Sequence, residues 1–314
     1  MRLRNSEVAE GPLVASLQHA FAPARLHALA NASLRDRYLR ASPFPHAVMD
    51  GLFPPVLLAA ISSEIPDRVA ASAGERSSGA CKGVGGGAYG STKTRDASPA
   101  DRWSRMVRCW DGLDAAGEDA VVRKQSVEDE ANMGPATRLA FAHLRGRAFA
   151  SFLSRISGIS GLVADPEYFG SGIHVTTRGG LLKVHADFNF HPKLHMRRRV
   201  NVFLFLNEDW PDSYGGHLEL WDCSMTQCEE RIAPLYGRLV MFSTTDFSFH
   251  GHPHPLVAPH GRSRRSLALY FYTSEFPPDD CENRNCSVRM RTLWKDPKIR
   301  NAMCSKSKHK GPTA

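Results

Sequence analysis

No apolar run in the 314 residues approaches the roughly eighteen needed to cross a bilayer, so the chain reads as soluble with no membrane partner. A secretory signal is also missing. Leu13 to Ala20 is interrupted by polar residues and preceded by Glu7 and Glu10. The Ala- and Arg-rich stretch to Arg40 has the flavour of an organellar transit peptide, which its acidic residues weaken, and the expected compartment is cytoplasm or organellar lumen. The close C-x2-C knuckles of a structural zinc site are absent, and seven cysteines is an odd number for a disulfide framework. Scattered reduced thiols are the reading, with a bridge inside Cys223-x4-Cys228 or Cys281-x4-Cys286 left open. Acidic residues are scarce at one end only. From Cys281 onward nine Lys/Arg face Glu282 and Asp296, which leaves +1 of the net +8 for residues 1–280. The basicity thus belongs to a tail, read as a solvated or disordered end, and a nucleic-acid partner is not expected. No internal repeat of fixed period is present.

What is present is enough apolar residue, 42%, for a sizeable core, and many turn formers, Gly 25 and Pro 20. Helical spacing runs through residues 12–40, through Pro54 to Ile65 with proline in its first turn, and through residues 134–157. The segment Pro43 to Asp50 reads as extended, because residues before proline avoid the helical region. Residues 70–100, rich in Gly, Ser and Ala, read as a mobile loop and a lid by position alone. After Gly161 the texture changes to short apolar or alternating runs between turn residues. These are Ile173–Thr176, Leu181–Phe188, Val200–Leu206, His217–Trp221, Arg238–Phe242 and Ser266–Tyr272, and they predict a β-sandwich or barrel such as a jelly roll.

One constellation in that region carries chemistry. Positions i and i+2 of a strand share a face, so His185 and Asp187 converge. With fourteen histidines, such a pair is expected about once by chance. A third ligand from a distant strand would complete two nitrogens and one oxygen on one side of a metal, leaving positions open for a cosubstrate and O2 on non-haem Fe(II). Of His250, His252 and His254, His250 is the expected ligand. Pro253 and Pro255 end the strand and place the other two in an exit loop. Arg264 opens an apolar strand and can aim a planar fork at a carboxylate, with Ser266 on the same face. Arg262 and Arg265 read as surface charge, and Arg197-Arg198-Arg199 as a solvated edge. His217-Leu218-Glu219 is a rival i, i+2 pair without a partner, read as strand and pocket lining. Asn201, Phe203 and Phe205 alternate along one face and either line the same cavity or pack in the core.

From Pro43 to Ser274 these residues resemble the Fe(II)/2-oxoglutarate-dependent dioxygenases, in their prolyl 4-hydroxylase-like branch. The similarity lies in Pro43-Phe44-Pro45-His46, Arg178 to Asn189, Asn201 to Asn207, Tyr214 to Trp221, Ser248 to Pro253 and Arg264 to Leu267. It implies an α+β fold with a mainly β core, a double-stranded β-helix (jelly roll) flanked by N-terminal helices. Residues 1–42 would form a helical or flexible N-terminal region. Residues 43–275 would form the dioxygenase domain, its jelly-roll core at about 161–275, and residues 276–314 a basic tail. His185, Asp187 and His250 would bind Fe(II) and act in catalysis. Arg264 would hold the distal carboxylate of 2-oxoglutarate, with Ser266, Thr176 and Asn201 as further cofactor-binding residues. O2 is the co-reactant, ascorbate a further cofactor, and succinate and CO2 the coproducts of C–H hydroxylation. Thr176 departs from the pattern. Prolyl 4-hydroxylases often carry a Tyr there, nine residues before the metal His; the threonine keeps a hydroxyl with a shorter reach, which leaves the contact open to another residue and a peptidyl-proline substrate less secure. Retention of Asp187 argues against halogenation. Peptidyl proline, a free amino acid, a glycan or another small metabolite stay open as substrates. A zinc hydrolase and a metal-free binding module are the competing classes, and the oligomeric state is unconstrained.

Overall fold

The computed structural model describes residues 7–65, 108–113, 119–274 and 292–294. The Gly-rich stretch at 70–100 and most of the basic tail lie outside the described residues. Among the described residues, thirteen antiparallel strands form one sheet that folds back on itself. In chain order they are β1 (His46–Met49), β2 (Arg108–Leu113), β3 (Asp119–Val127), β4 (Val163–Ala164), β5 (Gly172–Ala186), β6 (Phe190–His191), β7 (Met196–Phe205), β8 (Leu218–Trp221), β9 (Cys228–Ile232), β10 (Leu239–Ser243), β11 (His250–His252), β12 (Arg264–Thr273) and β13 (Leu293–Trp294). The main path runs β1-β10-β7-β12-β5-β11-β8-β9. Strand β5 joins the two runs of expected strand, 173–176 and 181–188, into one. Its first half pairs with β12 and its second with β11, while β3 and β13 pair along the other edge.

Alternation gives the sheet two unlike faces. Outward, Ile173 and Val175 of β5, Val200, Val202 and Leu204 of β7, and Leu267, Leu269 and Phe271 of β12 enter one core with the helices. Inward, the intervening positions His174, Thr176, Phe203, Ser266 and Tyr270 line a cavity. Each fully buried aliphatic or aromatic side chain on the outer face contributes about 1.5–3 kcal/mol, so the helical layer fixes which face looks inward.

That layer comprises α1 (Glu7–Ala20), α2 (Pro23–Leu29), α3 (Ala32–Arg40), α4 (Pro55–Glu64), α5 (Pro135–Leu144) and α6 (Arg147–Ser157). The expected stretch 12–40 is three helices, broken before Pro23 and again at Asn31, whose side chain caps α3 by accepting from Leu34 N at 2.9 Å. Residues 134–157 are likewise two helices, because Gly146 is the N-cap of a new one. In α6, Phe149, Phe152, Leu153 and Ile156 are buried at i, i+3, i+4 and i+7, a single apolar stripe against the sheet. Cys223 is disulfide-bonded and Cys228 is a free thiol. A Cys223–Cys228 bridge is therefore excluded, and the reading of uniformly reduced cysteines is corrected.

The end of α4 seeds α5. Glu64 accepts from Ala136 N at 2.7 Å, Thr137 N at 2.8 Å and Thr137 Oγ1 at 2.7 Å, so a carboxylate satisfies the orphan donors of a helix whose own N-cap, Gly134, has no side chain. Glu64→Ala is expected to destabilise the fold by about 1–3 kcal/mol, read as a lowered denaturant midpoint at unchanged slope.

Candidate metal centre

Two strands facing each other across a ladder set the site. His185 of β5 is the register partner of His250 of β11, and their ring centroids are 4.5 Å apart. Gly251 makes this approach possible, since a Cβ there would stand 2.7 Å from Leu182 O and 2.8 Å from Lys183 O. Asp187 follows two residues on from His185, with Oδ1 3.5 Å from His185 Nε2 and Oδ2 3.4 Å from His250 Nε2. One ligand atom from each of the three lies within 4.8 Å of the others, and all three residues are buried.

The imidazoles are oriented through their other nitrogens. His185 Nδ1 lies 2.8 Å from Lys183 O and His250 Nδ1 2.9 Å from Ser248 O. A ring that donates from Nδ1 to a carbonyl presents an unprotonated Nε2, the form that binds a metal. Burial, and then the neighbouring His250, keep the His185 pKa below its ordinary value. Desolvation pushes Asp187 upward, but the Arg198 guanidinium and the two imidazoles outweigh it, and the carboxyl is held well below the usual range. Both shifts favour the forms of His185 and Asp187 that bind a metal, and two nitrogens with one oxygen on one side fit a divalent transition metal with open positions.

Arg198 corrects the reading of a solvated edge. It is buried, donates to Asp187 Oδ2 at 2.8 Å and to Asn201 Oδ1 at 2.7 Å, and lies over the Tyr270 and Phe188 rings. Asn201, read as cofactor-binding, instead spends its Nδ2 on Asp187 Oδ2 at 2.8 Å. With Oδ2 taken by two donors, Oδ1 is the oxygen presented toward His185. Arg265 is not a surface charge either. It is buried and donates to Ile65 O and Leu206 O, both at 2.9 Å.

The donors open into a cavity of about 580 Å³, a size common for small-molecule sites. Arg264, Ser266 and Thr176 line it together with His185, Asp187 and His250. Arg264 Nε is fixed on Gly216 O at 2.6 Å, and a Cβ on Gly216 would meet Arg264 Cδ at 2.9 Å, so glycine there makes room for the arginine. The expected exit loop at His252 is instead the end of β11. His252 is buried and lines the cavity, while His254 is exposed. His217 and Glu219 do not line it. They engage Asp212 and Arg231 on the other face of β8, and Leu218 points inward. Sequence reading missed Lys124, His174, Tyr270 and Trp294 as lining residues, because nothing local announces β3 or the return of residues 292–294 to β5.

Residues 171–272 match the model of the 2OG-Fe(II) oxygenase superfamily. The match covers 102 of the 314 residues. It runs from β5 into β12 and holds every cavity-lining residue named above except Lys124 and Trp294. Among solved structures, the chain is similar to a Trichoplax adhaerens prolyl hydroxylase in complex with a hypoxia-inducible-factor peptide fragment, at 14% identity, 79% of this chain, 91% of that chain and a TM-score of 0.48. A Pseudomonas putida prolyl-4-hydroxylase gives 16%, 77%, 99% and 0.44. HygX from Streptomyces hygroscopicus, with nickel, 2-oxoglutarate and hygromycin B bound, gives 11%, 74%, 84% and 0.41. No curated protein sequence matches the chain at a significant level. Among the described residues no helix is long and apolar enough to cross a membrane.

The charges around the donors can be tested in two ways. Replacing Arg198 by Met leaves the Asp187 carboxylate buried without its guanidinium, and metal affinity at neutral pH is expected to fall about 10–100-fold in a Mn(II) titration. Burial lowers the Lys124 pKa to about 8, offset in part by Asp187 and Glu128 and reinforced by Arg264 and Arg198, with His174 also facing it. Its positive charge is present below about 8 and lost above, so dicarboxylate affinity of the cavity should decline several-fold from pH 7 to 9.

Proposed function

We propose that His185, Asp187 and His250 hold Fe(II), and that Arg264, with Ser266 and Thr176, receives the distal carboxylate of 2-oxoglutarate. The reading is supported above all by one observation. Two imidazoles tethered through Nδ1 and one carboxylate face a cavity whose wall also carries the Arg264 guanidinium. With metal and cosubstrate bound, O2 is consumed, 2-oxoglutarate gives succinate and CO2, and a substrate C–H becomes C–OH. The residues of the chain supply position and dryness. Arg198 and Asn201 fix the carboxylate, Lys183 O and Ser248 O fix the rings, and Phe188, Phe203, Tyr270 and Trp294 exclude water.

The substrate group is read as apolar and aliphatic. Asp187 is the single carboxylate among the described lining residues and is already engaged, so a cationic group would find no counter-charge. Phe169, Phe188, Tyr270 and Trp294 form an aromatic wall suited to an aliphatic ring such as that of a prolyl residue. Succinate release from 2-oxoglutarate with Fe(II) and O2 tests the reading. Wild type should turn over slowly even without substrate, and His185→Ala should fall to background. Equal rates in the two would sink the assignment of the metal site, and a screen for products heavier by one oxygen names the substrate.

A further inference from the structure

One cross-strand rung runs through the metal donors. His185 of β5 is the register partner of His250 on β11 and of Trp294 on β13, so these two stand on opposite edges of β5 with His185 between them. Neighbouring strands lie about 4.8 Å apart, and the side chains of a rung share one face of the sheet. The His185 ring is accordingly flanked on both sides, its centroid 4.5 Å from that of His250 and 5.1 Å from that of Trp294. His250 has an aromatic neighbour of its own in Phe242 of β10, at 4.7 Å. Each ligand imidazole is thus tethered at Nδ1 by a carbonyl and backed by one aromatic ring. A single hydrogen bond leaves a ring free to rock about its tether, and packing against the ring removes that freedom. Phe242 belongs to the residues that match the family model, whereas Trp294 lies beyond them.

Alternation sets the two residues of β13. Leu293 pairs with Ala186 and packs on the outer face, against the cluster of Val184, Ala186, Met225 and Phe249. Trp294 is thereby turned to the inner face, where it lines the cavity together with Thr292 two positions before it. Along this edge of β5 the β3 ladder ends at the pairing of Val121 with Leu182. Among the described residues, β13 is therefore what covers the edge beside His185.

We propose that Trp294 is a positioning residue of the metal centre, holding the His185 imidazole from the side opposite His250 and closing that side of the site to water, so that β13 is part of the site. The proposal rests on the reading of His185, Asp187 and His250 as metal ligands. Loss of the indole lets the imidazole rock and opens the sheet edge beside it, and both changes speed the release of a bound metal. Phenylalanine keeps a ring in the same place.

The full-length protein loaded with Co(II) tests this by two readouts. One is release of the metal to excess EDTA, and the other is indole fluorescence, which Co(II) quenches at short range. Trp294→Ala should release Co(II) about threefold to tenfold faster than wild type, and Trp294→Phe should return the rate to within about twofold. Trp294→Phe should at the same time lose most of the metal-dependent quench. Leu293→Ser removes the outer anchor of β13 and keeps the indole, and it should reproduce the faster release. That variant also decides the matter if Trp294→Ala fails to fold. Wild-type release from Trp294→Ala or Leu293→Ser overturns the inference. An unchanged quench in Trp294→Phe, or release from it as fast as from the alanine variant, does the same. His185→Ala separates these outcomes from the reading beneath them. It should no longer bind Co(II), and wild-type affinity in that variant would sink the ligand assignment itself.

Discussion

The pairing of β5 along both of its edges is the constraint on which the site depends. Fifteen residues, bent at Gly179 and Gly180, serve first β12 and then β11 on one side, and β3 and β13 on the other. Because side chains alternate, the outward residues of the first half commit Ile173 and Val175 to the helical core, and His174 and Thr176 then have no choice but to face the cavity. The second half carries His185 against His250, where Gly251 lets the two backbones close. A slip of one residue would send the imidazoles outward and expose the apolar face. Metal-donor geometry is thus inherited from core packing some distance away.

Electrostatics adds the second requirement. A carboxylate buried beside two imidazoles must be compensated, since the desolvation penalty for an isolated ion is several kcal/mol. Arg198 supplies the charge, and Asn201 orients it by accepting from Arg198 Nε while donating to the same Asp187 oxygen. Tyr270 and Phe188 cover the guanidinium faces and leave its edge for the carboxylate. The outcome is a carboxylate with one oxygen committed to protein donors beside His250 and the other toward His185.

These two requirements differ in how far they can be read from sequence. Alternation is local, so the i, i+2 relation of His185 and Asp187, the strands from 173 to 272 and the inward placement of Thr176, Arg264 and Ser266 were legible. Partnership is not local. Arg197-Arg198-Arg199 looks like a charged edge until β7 is set beside the carboxylate, and Lys124 has no signal until a bulge in β3 turns it inward. His252 was misread because the prolines beside it do end the strand, but two residues later than the assumed boundary at His250, and β11 lies between β5 and β8 in the sheet. Asn201 was placed on the correct face and given the wrong partner, since an amide can serve a ligand or a neighbouring side chain equally well.

Arg264 and Arg265 show how one residue type is divided between these roles. They are adjacent, both buried, and opposite in direction. Arg264 faces the cavity with its Nε on Gly216 O, whereas Arg265 faces the helices and holds the carbonyls of Ile65 and Leu206, while its own N–H donates to Asn207 Oδ1 at 2.6 Å. The end of α4 is therefore tied twice, by Arg265 to β12 and by Glu64 to the start of α5. Shifting β12 by one residue would exchange the two arginines. It would strip the α4 carbonyls of their donor and put a side chain without the Gly216 anchor into the cavity. The fold resists that exchange at the helix end, so the orientation of Arg264 is secured by a hydrogen-bond set on the opposite face of the same strand.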